Sequence, residues 1–182
     1  MITDFVPLPK ISADASSVIA LKENSIFWLN TRTGQSANID NLPFQVEHMA
    51  ISPHANYCLI SGSQSITYFN LVGSISFSSV FPVSHPIQQL CIGDSGIGII
   101  TSAPYRKESL LHILENPSSE IIEVTNSYSL GKVAPRKIFF DEEKSRILID
   151  GRIGSRAFRG FGERYLQLFS LEKQTLNLIW SS

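Results

Sequence analysis

Apolar residues fall along this chain in short bursts, each closed by Gly, Asn, Asp, Ser or Pro. In Val46 to Asn70 an apolar strand runs into a Ser-Pro-His turn. A second strand follows at Tyr57 to Ser61 and a third at Ser65 to Phe69. The order recurs in Ile87 to Glu115: a strand through Ile92, a Gly-Asp-Ser-Gly turn, a strand at Ile97 to Thr101, a break, and a strand at Leu110 to Leu114. It recurs again in Pro135 to Gly151, which turns at Asp141 to Lys144 and resumes after an insertion at Arg164 to Trp180. The first copy is plainest at Ser17 to Leu21, Ser25 to Leu29 and Ser36 to Ile39. Its opening strand is expected over Phe5 to Ile11, where Pro7 and Pro9 suit a sheet edge.

Aligning the first turns places Asp14, Pro53, Asp94 and Glu142 at spacings of about 40, 40 and 48 residues, close to the period of four-stranded sheet units. The bursts are rich in Ile, Val, Phe and Tyr, as strands require. No apolar stripe of helical period extends beyond two turns. Arg106 to Leu114 reads as a loop entering a strand. The expectation is an all-β chain, 1–182, forming one domain of about four antiparallel units, over 5–39, 46–80, 87–125 and 135–180. A β-sandwich is the alternative architecture.

In strand rhythm these units resemble the blades of WD-repeat-like β-propellers. The family's Gly-His pair is absent. Phe27-Trp28-Leu29-Asn30, Tyr68-Phe69-Asn70 and Leu114-Glu115 stand where a Trp-Asp would close the third strand. Four units are the low end for such folds. The resemblance implies either a small closed ring or an open half that meets a second copy or another protein, with a platform role in binding.

A length of 182 residues is enough to bury a core without staples. The net charge of −1 supplies no overall field toward nucleic acid or anionic lipid. Cys58 and Cys91 lie in apolar stretches and read as small buried hydrophobes. The opening MITDFVPLPK lacks a secretory signal pattern, and no apolar run reaches membrane-helix length. A cytoplasmic location is the expectation.

Candidate chemistry concentrates in Gly151 to Arg164. This segment carries Arg152, Arg156, Arg159 and Arg164, half of the chain's arginines, with Glu163 the only acid and Phe158 and Phe161 as stacking faces. Arginine forks grip carboxylates and phosphates in bidentate fashion. Ser102 to Ser109, an insertion at the equivalent place in the preceding unit, adds Tyr105, Arg106 and Lys107. If the units stack, both insertions leave from the same face and form one partner-binding surface. The plain structural reading is a solvated hairpin tip whose arginines pair with nearby Asp and Glu; the functional readings are an acidic protein partner and, as the alternative, RNA or single-stranded DNA.

Enzymatic patterns are thin. His48, His54, His85 and His112 show no metal-ligand spacing. His54 and His85 read as loop residues. Asp141, Glu142 and Glu143 read as exposed turn charges, and Gly93, Gly96 and Gly98 match no phosphate-binding pattern. No cofactor and no metal are expected. The reading is a non-catalytic protein-binding module, in its narrowest form a dedicated inhibitor such as a toxin-neutralising immunity protein.

Overall fold

The computed structural model describes residues 9–22, 25–72, 76–77, 81–103, 108–118, 121–154, 157, 162–172 and 175–182. These form four antiparallel sheets and, among the described residues, no α-helix. The first sheet orders β1 (Lys10–Ile11), β2 (Ser17–Lys22), β3 (Ser25–Asn30) and β4 (Ser36–Ile39) side by side. The second orders β5 (His48–Ile51), β6 (Tyr57–Ser61), β7 (Ser65–Asn70) and β8 (Ser76–Phe77), with β9 (Phe81–Pro82) also on β7. The third is β10 (Ile87–Ile92), β11 (Gly98–Ser102), β12 (Ser109–Ser118) and β13 (Ile121–Gly131). The fourth is β14 (Ala134–Asp141), β15 (Arg146–Ile153), β16 (Glu163–Glu172) and β17 (Thr175–Ser181).

Which residues each sheet buries follows from side-chain alternation. In β6, Cys58 and Ile60 pack toward the first sheet while Leu59 packs toward the third. Both faces are buried, so the strand reads as an unbroken apolar run. In β15, Ile147 and Ile149 are buried against the third sheet, whereas Arg146, Leu148 and Asp150 point the other way and keep some exposure. In β3, Ile26 and Trp28 are buried and Phe27 is not. Successive residues point to opposite faces of a sheet, so an end sheet shows alternation and a middle sheet does not.

Three apolar clusters fill the three seams between consecutive sheets. The first joins Ile19, Ile26 and Trp28 to Met49, Cys58, Ile60 and Phe69. The second joins Leu59, Ile66 and Tyr68 to Ile92, Ile100 and Leu114. The third joins Ile99, Leu111 and Ile113 to Ile147, Ile149 and Phe169. Each such side chain, fully buried, contributes about 1.5–3 kcal/mol, so the seams hold the array together. Phe169 adds an edge-to-face contact with Tyr128, centroids 5.1 Å apart. Among the described residues, no strand of the first sheet packs extensively against one of the last.

Some boundaries differ from the sequence expectation. In the described part of Phe5 to Ile11, Lys10 and Ile11 pair with Ile19 and Val18; residues 1–8 lie outside the described residues. The strand expected over Ile97 to Thr101 runs Gly98–Ser102. The one expected over Leu110 to Leu114 runs Ser109–Ser118, because it pairs along most of its length with β13. Within Arg106 to Leu114, residues 106–107 are outside the described residues and β12 begins at Ser109.

Candidate interaction surface

The turn after the first strand of each sheet is the same device four times. A backbone hydrogen bond closes Ser12 to Ala15, Ser52 to Ala55, Gly93 to Gly96 and Glu142 to Ser145. The fourth residue has positive φ in every case: Ala15 at 56°, Ala55 at 59°, Gly96 at 86° and Ser145 at 49°. Asp14, Pro53, Asp94 and Glu142 therefore belong to equivalent turns, Pro53 and Asp94 at the second position, Asp14 at the third and Glu142 at the first.

These turns are stitched to one another across the seams. The Asp14 amide donates to the Pro53 carbonyl at 3.3 Å. The His54 amide donates to Asp94 Oδ1 at 2.9 Å, and His54 Nδ1 lies 2.7 Å from Asp94 Oδ2. The amides of Asp94 and Ser95 then donate to Glu142 Oε2 and Oε1, at 2.7 and 3.0 Å. His54 and Glu142 thus do more than the solvated turn roles their sequence setting suggested. Hydrogen bonds to Asp94 and its charge raise the His54 pKa above the usual histidine value. Burial works to raise the Asp94 carboxyl, but the bonds from His54 and Ser52 outweigh it and the net shift is downward. Asp14 is held well below the usual carboxylate range by the hydroxyl and amide of Ser16 and the hydroxyl of Ser12, with Arg32 at 3.1 Å.

At the opposite ends of the strands are the residues that bracket the two insertions. Ser109 Oγ, at the start of β12, donates to the Val133 carbonyl at 2.6 Å. A Cβ on Gly151, near the end of β15, would meet Val133 Cγ1 at 2.6 Å. One residue, Val133, therefore touches the strand ends of both sheets, and the strand ends that bracket 103–108 and 154–162 are neighbours. Arg152 and Arg164 are directly opposed on β15 and β16. Arg164 Nε and Nη2 donate to the two Asp150 oxygens at 3.2 and 3.1 Å, and Arg152 Nη1 donates to the Gly162 carbonyl at 2.6 Å. The structure thus brings Arg152 and Arg164 together. Tyr105, Arg106, Lys107, Arg156, Phe158, Arg159 and Phe161 lie outside the described residues.

His112, Cys58 and Cys91 serve packing. His112 is buried between Ser102 Oγ and Ser127 Oγ, each 2.8 Å from a ring nitrogen, and burial lowers its pKa. Burial pushes both thiols, Cys58 and Cys91, upward, and both are free. Among the described residues no group of three His, Cys, Asp or Glu side chains is placed to hold a metal, and no helix is long and apolar enough to cross a membrane. A cleft of about 400 Å³ opens beside the turns of the first two sheets, lined by Ser16, Trp28, Asn30, His54 and Asn56 among others.

No family model matches the sequence, and no curated protein does. Solved structures do match in shape. Hsv2 of Kluyvelomyces marxianus superposes with a TM-score of 0.68 at 11% identity, over 96% of this chain and 60% of that one. The β-propeller domain of Swd1 (Cps50) from Myceliophteria thermophila gives 0.63 at 10% identity, over 97% and 59%. Hydrazine synthase of Kuenenia stuttgartiensis gives 0.66 at 13% identity, over 100% and 50%. The four sheets are β-propeller blades. Identities this low speak to fold alone. The chain spans between half and three fifths of the length of these structures. In blade terms, the stitched turns lie at one end of the strands, and the strand ends that bracket the two insertions lie at the other.

Proposed function

We propose that this chain is a non-catalytic protein-interaction scaffold, with its docking surface at the strand ends that carry 103–108 and 154–162. The observation that supports the reading is the shared contact of Ser109 and Gly151 with Val133, which sets the strand ends that bracket the two insertions side by side on adjacent blades. The partner is an acidic protein segment. Arg164 keeps 70% of its side chain exposed despite Asp150, and an exposed ion pair is weak enough to open for a competing carboxylate. A guanidinium grips that carboxylate through two parallel donors.

The test is a pull-down from native lysate with mass spectrometry, repeated with Arg152→Glu, Arg156→Glu and Arg159→Glu combined. Loss of the captured protein, with unchanged circular dichroism, is expected; capture that survives charge reversal would sink the reading. A salt titration separates the nucleic-acid alternative, since several phosphate contacts make affinity fall steeply with salt. A dedicated inhibitor, such as a toxin-neutralising immunity protein, is the narrower form of the same proposal. It requires that the captured partner be an enzyme or toxin whose activity the chain abolishes.

A further inference from the structure

The turns are stitched unevenly. Between blades two and three, and between blades three and four, a carboxylate accepts backbone amides at 2.7–3.0 Å. Between blades one and two the described turn-to-turn bond is the longer backbone contact from the Asp14 amide to the Pro53 carbonyl, 3.3 Å. The cleft of about 400 Å³ opens at that seam, and its size falls within the range of small-molecule sites.

Trp28 pairs with Ile19 and Ala37, packs into the first seam, is 8% exposed and lines the cleft. Its Nε1–H can only donate, and it finds no partner among the described residues. A buried indole N–H ordinarily has one, and leaving the bond unmade costs stability. Asn30 adds further donors: its Oδ1 already accepts the amides of Arg32 and Thr33, both at 3.0 Å, so Nδ2 is what it can offer the cleft. Ser16 gives its hydroxyl proton to Asp14 Oδ1 at 2.6 Å and so meets a ligand as an acceptor. Gln35 and Asn56 carry both functions, and Leu71 and Val72 add an aliphatic strip.

Charge cancels around this lining. Among the described lining residues His54 is the one that can carry charge, and it is paired with Asp94; Asp14, behind Ser16, is paired with Arg32. An anion would compete with Asp14 and Asp94 for these partners, and a cation would compete with Arg32 and His54. The matching ligand is therefore uncharged, with oxygens that both accept and donate and with C–H surface between them. We infer that the cleft between blades one and two binds a small neutral saccharide, with the Trp28 indole N–H donating to one of its oxygens. The indole nitrogen is covered in the free chain, so binding includes a small side-chain shift, as is common at binding sites. The cleft lies at the turn end of the strands, away from the docking surface proposed above, and the two readings stand or fall separately.

The experiment is a proton–nitrogen NMR titration of the full chain with glucose, N-acetylglucosamine and maltose, each to about 10 mM. Glucuronate and protonated glucosamine serve as charged counterparts. The chain has two tryptophans, and Trp180, 49% exposed and not among the lining residues, is the internal reference. The Trp28 indole signal should move saturably with at least one neutral sugar while that of Trp180 stays in place. By calorimetry, Trp28→Phe, which removes the N–H, should bind that sugar about tenfold more weakly. Gln35→Ala, at an exposed position on a turn, keeps the test alive if Trp28→Phe disturbs packing, and should weaken binding about threefold to tenfold. Three results would overturn the inference: a Trp28 signal indifferent to every neutral sugar, tighter binding of a charged counterpart, or unchanged affinity in both variants.

Discussion

Glu142 offers the sharpest test of the stitched turns. Its two carboxylate oxygens accept the backbone amides of Asp94 and Ser95 at 2.7 and 3.0 Å, across the seam between the third and fourth blades. A hydrogen bond to a charged group contributes roughly 1.5–3 kcal/mol when sheltered. Here the Asp94 amide is partly buried and the Ser95 amide is exposed, so Glu142→Ala should cost about 2 kcal/mol in total. Glu142→Gln, which keeps one acceptor and loses the charge, should cost about half of that. Urea unfolding reads the loss as a lower midpoint at unchanged slope, and hydrogen exchange should show faster exchange at Asp94 and Ser95. Gly93 supplies the cross-check, because a Cβ there would sit 2.7 Å from Glu142 Oε2. Gly93→Ala pushes the carboxylate off its amides, so the double variant should be less destabilised than the sum of the singles by at least about 0.5 kcal/mol. A loss below about 0.5 kcal/mol for Glu142→Ala, with exchange unaltered, would refute the idea that this side chain staples the seam.

Other perturbations follow from the same geometry. Phe169→Ala removes a fully buried ring from the third seam and its edge contact with Tyr128; the expected cost is about 3–5 kcal/mol by urea unfolding. Ser145 occupies a left-handed position at φ 49° on an exposed turn, so Ser145→Gly should raise stability by about 0.5–1 kcal/mol in the same assay. The raised His54 pKa means that the His54–Asp94 pair stabilises the fold fully below the ordinary histidine pKa, and that this is lost as pH rises through the folded-state value. Its lower limit is set by Asp94, whose depressed carboxyl must stay ionised. An NMR titration should place His54 above the free-histidine value in the wild type and near it in Asp94→Asn.

Much of the fold was readable because two patterns coexist in the chain. Tyr57 to Ser61 is an unbroken apolar run that a two-faced seam strand needs, while Arg146 to Ile153 alternates as an end blade must. The period that aligned Asp14, Pro53, Asp94 and Glu142 also pointed to the stitched turns, but not to their bonding. Residues about 40 apart meet only once the blades are fixed side by side, and a one-residue offset within a turn decides whether a side chain faces its neighbour. That is why His54 and Glu142 read as solvated loop groups. Val133 was likewise silent in the sequence: its role comes from lying between two blades, a fact carried by the packing around Gly151 and Ser109.

Almost every strand here pairs with the strand next to it along the chain, β7 with β9 being an exception. Most ladders can therefore form from a short, freshly made stretch, with little loop entropy to overcome. For an all-β protein this is a kinetically favourable wiring, since local pairing speeds folding. A ribosome-bound chain can complete one hairpin set before the next emerges, and each finished unit offers a template for its successor.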